Sequence, residues 1–180
     1  MKRSEFDHVI RAAADIVDDE LIVIGSQAVL AEHPDAPQEL LRSAEVDLYP
    51  KGDPSRAIEI DGAIGDGSRF HETYAYYGHG VGPETFTAPA GWEERLVRVE
   101  LRPHQRRKPA AVAWCLSTGD LLLAKMAAGR PHDFEFVKAA VRGGLSSVEE
   151  LRRGIDLMPA EYRDRVTSNL DLVEAGVGQQ

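Results

Sequence analysis

The sequence predicts a mixed α/β chain, a small twisted sheet with helices on one side followed by a helical C-terminal lobe. Three observations predict it. Short apolar or alternating runs at residues 21–24, 45–49, 95–101 and 111–116 read as strands, the last with a helical start as its alternative. Phe6, Val9, Ile10, Ala13 and Ile16-Val17 recur at helical spacing. After Leu116 the punctuation changes to helix caps and stops, with no further strand pattern.

Taken in order, the first helix covers residues 6–17, and the acidic turn Asp18-Asp19-Glu20 leads into the strand at 21–24. Gly25-Ser26 turns the chain into a short helix over 26–31, which Pro34 and Pro37 break. The strand at 45–49 ends at Pro50, and Pro54 suits the first turn of a helix over 55–64. Residues 65–91, rich in glycine and aromatic side chains, read as loops with short strands. Ser117-Thr-Gly-Asp120 resembles a cap for a helix over 121–128; Gly129 stops it and Pro131 opens the next, over 131–141. Ser147 begins a Ser-x-x-Glu capping pattern for a helix over 147–157, and a last helix covers 159–174. The division falls near residue 115, giving a core of 1–115 and a lobe of 116–180. No linker marks it, so one bilobed domain remains open.

With 180 residues, 43% of them apolar, the chain can build a sizeable core. No apolar run approaches a membrane span, and Met-Lys-Arg-Ser-Glu-Phe-Asp-His lacks the apolar stretch of a signal peptide. The lone Cys115 lies in an apolar run and reads as a buried thiol in a reducing compartment, so the expected location is cytoplasmic. A net charge of −9 argues against coating long nucleic acid, whose binding rests on phosphate neutralisation. Arg102-Pro-His-Gln-Arg106-Arg107-Lys108 is the one basic cluster, either a solvated turn between strands or a grip on phosphates.

Chemistry concentrates at two places. Side chains on a strand alternate, so Glu45 and Asp47 leave one face while Val46 and Leu48 leave the other. Adjacent carboxylates on a buried strand repel unless a cation lies between them; on an exposed edge they are merely solvated. A helix opening at Gly25-Ser26 offers free N–H groups to a phosphate. Together these are the parts needed to hold a metal–nucleoside triphosphate. The second place is Lys125, in the last turn of one helix, and Asp133, in the first turn of the next. The Gly129-Arg130-Pro131 break lets their side chains converge, and a plain interhelical salt bridge would do the same. His71 and His79 are too isolated from cysteine or further histidine to suggest zinc. The aromatic run from Phe70 to Tyr77 reads as a core plug, or else as a wall on which a base stacks.

Ile24-Gly25-Ser26 followed by Glu45-Val46-Asp47-Leu48 resembles the Gly-Ser … Asp-x-Asp signature of the polymerase-β-like nucleotidyltransferase superfamily. Through Ile60-Asp61-Gly62, Phe70-His71-Glu72, Gly91-Trp92-Glu93-Glu94-Arg95-Leu96 and Asp120-Leu121 … Lys125 … Arg130 … Asp133, the chain looks like the small bacterial nucleotidyltransferases near the AbiEii-type and MenT-type toxins. The resemblance covers most of residues 20–140. It implies a nucleotidyltransferase-like mixed sheet whose site lies between the lobes. Glu45 and Asp47 would hold Mg²⁺ or Mn²⁺, and Gly25 and Ser26 would cradle phosphate. Lys125 would hold triphosphate oxygens with Arg130 as a second clamp, while Asp133 orients Lys125 or a substrate hydroxyl. The reaction implied moves a nucleotide from an NTP to an acceptor hydroxyl, on the 3′ end of a tRNA or on a protein, with a cognate antitoxin as partner.

Two departures bear on this. The gap from Ser26 to Glu45 is longer than the superfamily pattern, so an insertion around residues 33–39 must loop out. The first carboxylate is Glu45 rather than Asp, which matters because Mg²⁺ demands near-ideal octahedral geometry. Many superfamily members add a third carboxylate from a neighbouring strand. Glu100 is the candidate here, though it shares its strand face with Arg98 and a solvated charge cluster explains it equally well. Two competing readings follow: a catalytically degenerate module that binds nucleotide, RNA or a partner, and a small-molecule nucleotidyltransferase.

Overall fold

The amphipathic stripe near the N-terminus forms α1 (Arg3–Val17) in the computed structural model, which describes residues 1–103 and 109–178. Phe6, Val9, Ile10, Ala13 and Val17 are its buried face, and Asp18 ends it in a left-handed conformation with its N–H on the Ala14 carbonyl. Of the basic cluster, residues 104–108 lie outside the described residues.

The apolar runs become β1 (Leu21–Val23), β2 (Glu45–Pro50), β4 (Val97–Leu101) and β5 (Ala111–Cys115). Together with β3 (Tyr77–Gly80) they form one sheet in the order β3-β2-β1-β5-β4. All three residues of β1 are buried, as the central position requires. It runs parallel to β5 and antiparallel to β2, while β2 runs parallel to β3 and β4 antiparallel to β5.

The two faces of β2 and β3 differ in chemistry. Gly78 lies opposite Val46, and a Cβ on Gly78 would meet Ile64 and Val9. That face therefore packs on α1 and on α2 (Ala57–Ile64). The other face carries Glu45 opposite Tyr77 and Asp47 opposite His79.

Residues 65–91 hold more structure than their composition suggests. Ser68 caps α3 (Arg69–Tyr74) by accepting from the His71 N–H, and Ala75 ends it in a left-handed conformation. Phe70, Tyr74 and Tyr76 pack around His8 of α1, with ring centroids 4.6 to 5.9 Å apart. A six-residue helix between glycine-rich turns carries too little periodicity to be read from sequence. The short helix expected over 26–31 is a 3₁₀ turn, Ser26–Ala31, and the insertion expected around residues 33–39 leads into a second 3₁₀ turn, Gln38–Leu41.

The lobe comprises α4 (Thr118–Ala128), α5 (Pro131–Arg142), α6 (Val148–Gly154) and α7 (Ala160–Val177). Its caps are those the sequence predicts: Ser117 accepts from the Asp120 N–H, Gly129 stops α4 with φ 66°, and Ser147 opens α6 with a full capping box. α6 gives way to a 3₁₀ turn at Ile155–Leu157, which divides the helix expected over 147–157. One hydrophobic cluster runs from Phe6 through the sheet to Val173 of α7. Side-chain contacts tie the first part of the chain to the lobe. The Arg95 guanidinium donates to the buried Asp120 carboxylate at 2.9 Å, and Glu32 accepts from the Thr118 N–H at 2.6 Å. Cys115 is fully buried, and desolvation pushes its thiol up to about 12. Among the described residues, no helix is long and apolar enough to cross a membrane.

Candidate active site

Glu45 and Asp47 leave the sheet on the face turned away from α1 and α2, into a cavity of about 530 Å³ bounded by the β1–3₁₀ turn and by α4. Gly25, Ser26, Lys125 and Arg130 line the same cavity, so the structure brings together residues a hundred positions apart in sequence. Asp133 does not line it.

The carboxylates are placed by the backbone on either side of them. The Ile24 N–H donates to the Asp47 carbonyl at 3.1 Å, which fixes the β1–3₁₀ turn against β2. Gly25 then lies so close that a Cβ there would be 1.8 Å from Asp47 Oδ2. Its backbone is ordinary and extended, with φ −83°, so glycine is required for close approach rather than for conformation.

Parallel pairing with β3 supplies two further polar groups. The Tyr77 hydroxyl donates to Glu45 Oε2 at 2.8 Å, and His79 Nδ1 lies 2.9 Å from Asp47 Oδ1. Burial and the Glu45 carboxylate together bind Tyr77's proton more tightly than usual. Glu45, Asp47 and His79 offer ligand atoms that all lie within 4.8 Å of one another. Desolvation raises the Asp47 carboxyl above its ordinary value, opposed by the His79 contact and reinforced by Glu45. A dication at this point would relieve that repulsion, so the donor set fits a divalent metal. His79 is missed by a sequence reading that looks for zinc spacing. The signal available was the alternation Tyr77-Gly78-His79-Gly80, which marks a strand with both polar side chains on one face.

Glu100 is not part of the cluster. It lies on edge strand β4, separated from β2 by β5 and β1, and its carboxylate takes a hydrogen bond from Arg98 at 2.5 Å.

Lys125 projects from the last turn of α4 and is buried with its ammonium 3.0 Å from Asp133 Oδ1. It also lies 4.5 Å from the centre of the Phe136 ring. Asp133 is fully buried, and its Oδ2 accepts from both the backbone N–H and the Nε of Arg130. Desolvation opposes the charge on both partners. For Lys125 it prevails and lowers the ammonium despite Asp133, while for Asp133 the attraction of Lys125 and Arg130 prevails and holds the carboxyl below its ordinary value.

Phe86, Tyr162 and Arg165 also line the first cavity. A second cavity, of about 580 Å³, adjoins the first along Ser26, Glu45, Lys125 and His132 and opens between the 3₁₀ turn Gln38–Leu41 and α5. Its outer rim carries Glu39, Arg42, Glu135 and Arg142, two charges of each sign.

No curated protein and no solved structure matches the chain. One family model does, described as a nucleotidyltransferase of unknown function (DUF6036), and it spans residues 4–171, which include every residue of the site. By that match, the chain belongs to this nucleotidyltransferase family.

Proposed function

We propose that the chain transfers a nucleotidyl group from an NTP to an acceptor hydroxyl, with Glu45 and Asp47 as the metal-binding pair. The single observation that supports this most is the meeting of the Glu45–Asp47 pair, the Gly25-Ser26 turn and the buried Lys125 on one cavity. A divalent cation, Mg²⁺ or Mn²⁺, would neutralise triphosphate charge and polarise the α-phosphorus toward in-line attack.

The chain's own residues supply position and charge. Lys125, itself buried, presents one ammonium to phosphate oxygens from the cavity wall. Asp133, itself fixed by the Arg130 guanidinium and backbone N–H, holds that ammonium in place, so Asp133 is a positioning residue, while the largely exposed Arg130 guanidinium reaches the cavity rim as a second clamp. Gly25 and Ser26 bring backbone close to the phosphates. Phe86 and Tyr162 offer ring faces for the base. The adjoining cavity meets the first at Glu45 and Lys125, which suits an acceptor hydroxyl entering beside the donor's α-phosphate.

Resemblance to the toxin relatives favours a tRNA 3′ end or a protein as acceptor and an antitoxin as partner. The mixed rim of Glu39, Arg42, Glu135 and Arg142 and the net charge of −9 favour a protein or small-molecule hydroxyl over a long phosphate backbone. Incubation with each α-labelled NTP, Mg²⁺ or Mn²⁺, and in turn total tRNA, cell protein or cell metabolites decides among them. Label should enter one pool and should be lost in Asp47→Asn. Nucleotide binding without label transfer or pyrophosphate release overturns the enzymatic reading in favour of a degenerate binding module.

A further inference from the structure

The third ligand position of the cluster is an imidazole, not a carboxylate, and the sheet holds it there. His79 is the direct parallel partner of Asp47, with Nδ1 2.9 Å from Oδ1. The glycines on either side press β3 onto α2: a Cβ on Gly80 would lie 2.0 Å from the Ala57 carbonyl oxygen, and one on Gly78 would lie 2.8 Å from Ile64. The strand therefore cannot move toward α2, and the half-exposed His79 ring stands at a fixed height on the cavity wall beside Asp47.

Ligand type separates divalent cations that charge alone does not. Mg²⁺ is satisfied by carboxylate and water oxygens in a strict octahedron and gains little from nitrogen. First-row transition dications accept imidazole readily, Mn²⁺ the most weakly among them. We propose that His79 binds the metal directly and makes the site select Mn²⁺ and its heavier first-row neighbours over Mg²⁺. This rests on the reading of Glu45 and Asp47 as the metal-binding pair. The contact with Asp47 admits a lesser role, in which the imidazole only hydrogen-bonds the carboxylate, and the experiment separates the two.

The probe is the metal ion alone, without nucleotide, on the full chain. Mn²⁺ binding is titrated by electron paramagnetic resonance with Mg²⁺ as competitor, and spin-echo modulation of bound Mn²⁺ reports a directly coordinated ¹⁴N. The wild-type chain should show ¹⁴N modulation and at least about tenfold preference for Mn²⁺. His79→Asn, which can still hydrogen-bond Asp47, should abolish the modulation and weaken Mn²⁺ binding while Mg²⁺ changes much less. His79→Asp should bring the two affinities together by restoring an all-oxygen set. Wild-type Mn²⁺ binding without ¹⁴N modulation, or an unchanged ratio in His79→Asn, overturns the role of His79 and leaves the metal pair standing. Absence of any Mn²⁺ binding, or binding that Asp47→Asn leaves intact, overturns the metal pair itself and the inference with it.

Discussion

Gly25 and Asp47 occupy each other's space: a β-carbon on the glycine would fall 1.8 Å from Oδ2, 2.6 Å from Cγ and 2.8 Å from Cβ of the aspartate. Rotating the carboxylate relieves the first two contacts but not the third, so the strand itself would have to shift. Gly25→Ala should cost about 1–3 kcal/mol of stability through overpacking. It should also weaken Mn²⁺ or Mg²⁺ binding by displacing a ligand. Thermal unfolding and metal titration of the same variant check both effects.

Asp47→Asn should separate stability from function. Burial raises the Asp47 carboxyl, so between the unfolded and folded values the native state binds more protons than the unfolded one, and stability falls as pH rises across that window. Above the folded value the full cost of the charge is present. The asparagine variant of the metal-free protein should therefore melt higher than wild type, and divalent cations should no longer raise its melting temperature. A lower melting point in chelator would contradict this account.

Lys125→Ala should weaken nucleotide binding by on the order of 1.5–3 kcal/mol, the value of one charge-assisted hydrogen bond. Lys125→Arg should recover only part, because a planar fork does not replace a point charge. Calorimetric titration with a non-hydrolysable NTP measures both.

Asp133→Asn should be among the most destabilising single changes at the site. It leaves the Lys125 ammonium, itself 8% exposed, without its anionic partner, a loss of about 3–5 kcal/mol for a broken buried pair. The pH dependence has a definite sign. Lys125 and Arg130 depress the Asp133 carboxyl against its desolvation, so its stabilisation is complete above the ordinary aspartate value of about 3.9 and is lost as pH falls through the lower folded value. The gap in stability between wild type and variant should narrow over that acid range, as followed by denaturant unfolding at stepped pH.

Glu100→Gln should leave metal affinity unchanged and shift stability by no more than about 0.5 kcal/mol, since an exposed pair with Arg98 contributes little. A change in metal affinity would mean that the edge strand communicates with β2.

Much of the fold was legible because it is written locally. Ser117, Gly129, Pro131 and Ser147 each perform at their positions what their side chains or backbones favour anywhere. Glu45 and Asp47 share a face because a strand has period two. What was not legible depends on pairing at a distance. That β3 lies parallel to β2, with His79 beside Asp47 and Tyr77 beside Glu45, follows from packing of Gly78 and Gly80 on α2, which no local pattern encodes. Glu100 shows the converse: alternation placed it correctly on a strand, but strand order put that strand at the far edge.

All three candidate ligands arise from neighbouring rungs of one parallel ladder, with no loop among them. The rotational freedom that a loop-borne site would surrender on capturing an ion is already gone once the sheet has formed. Loading should therefore carry a small conformational entropy change. It also follows that accommodating a larger or smaller ion must be done by side-chain torsions alone.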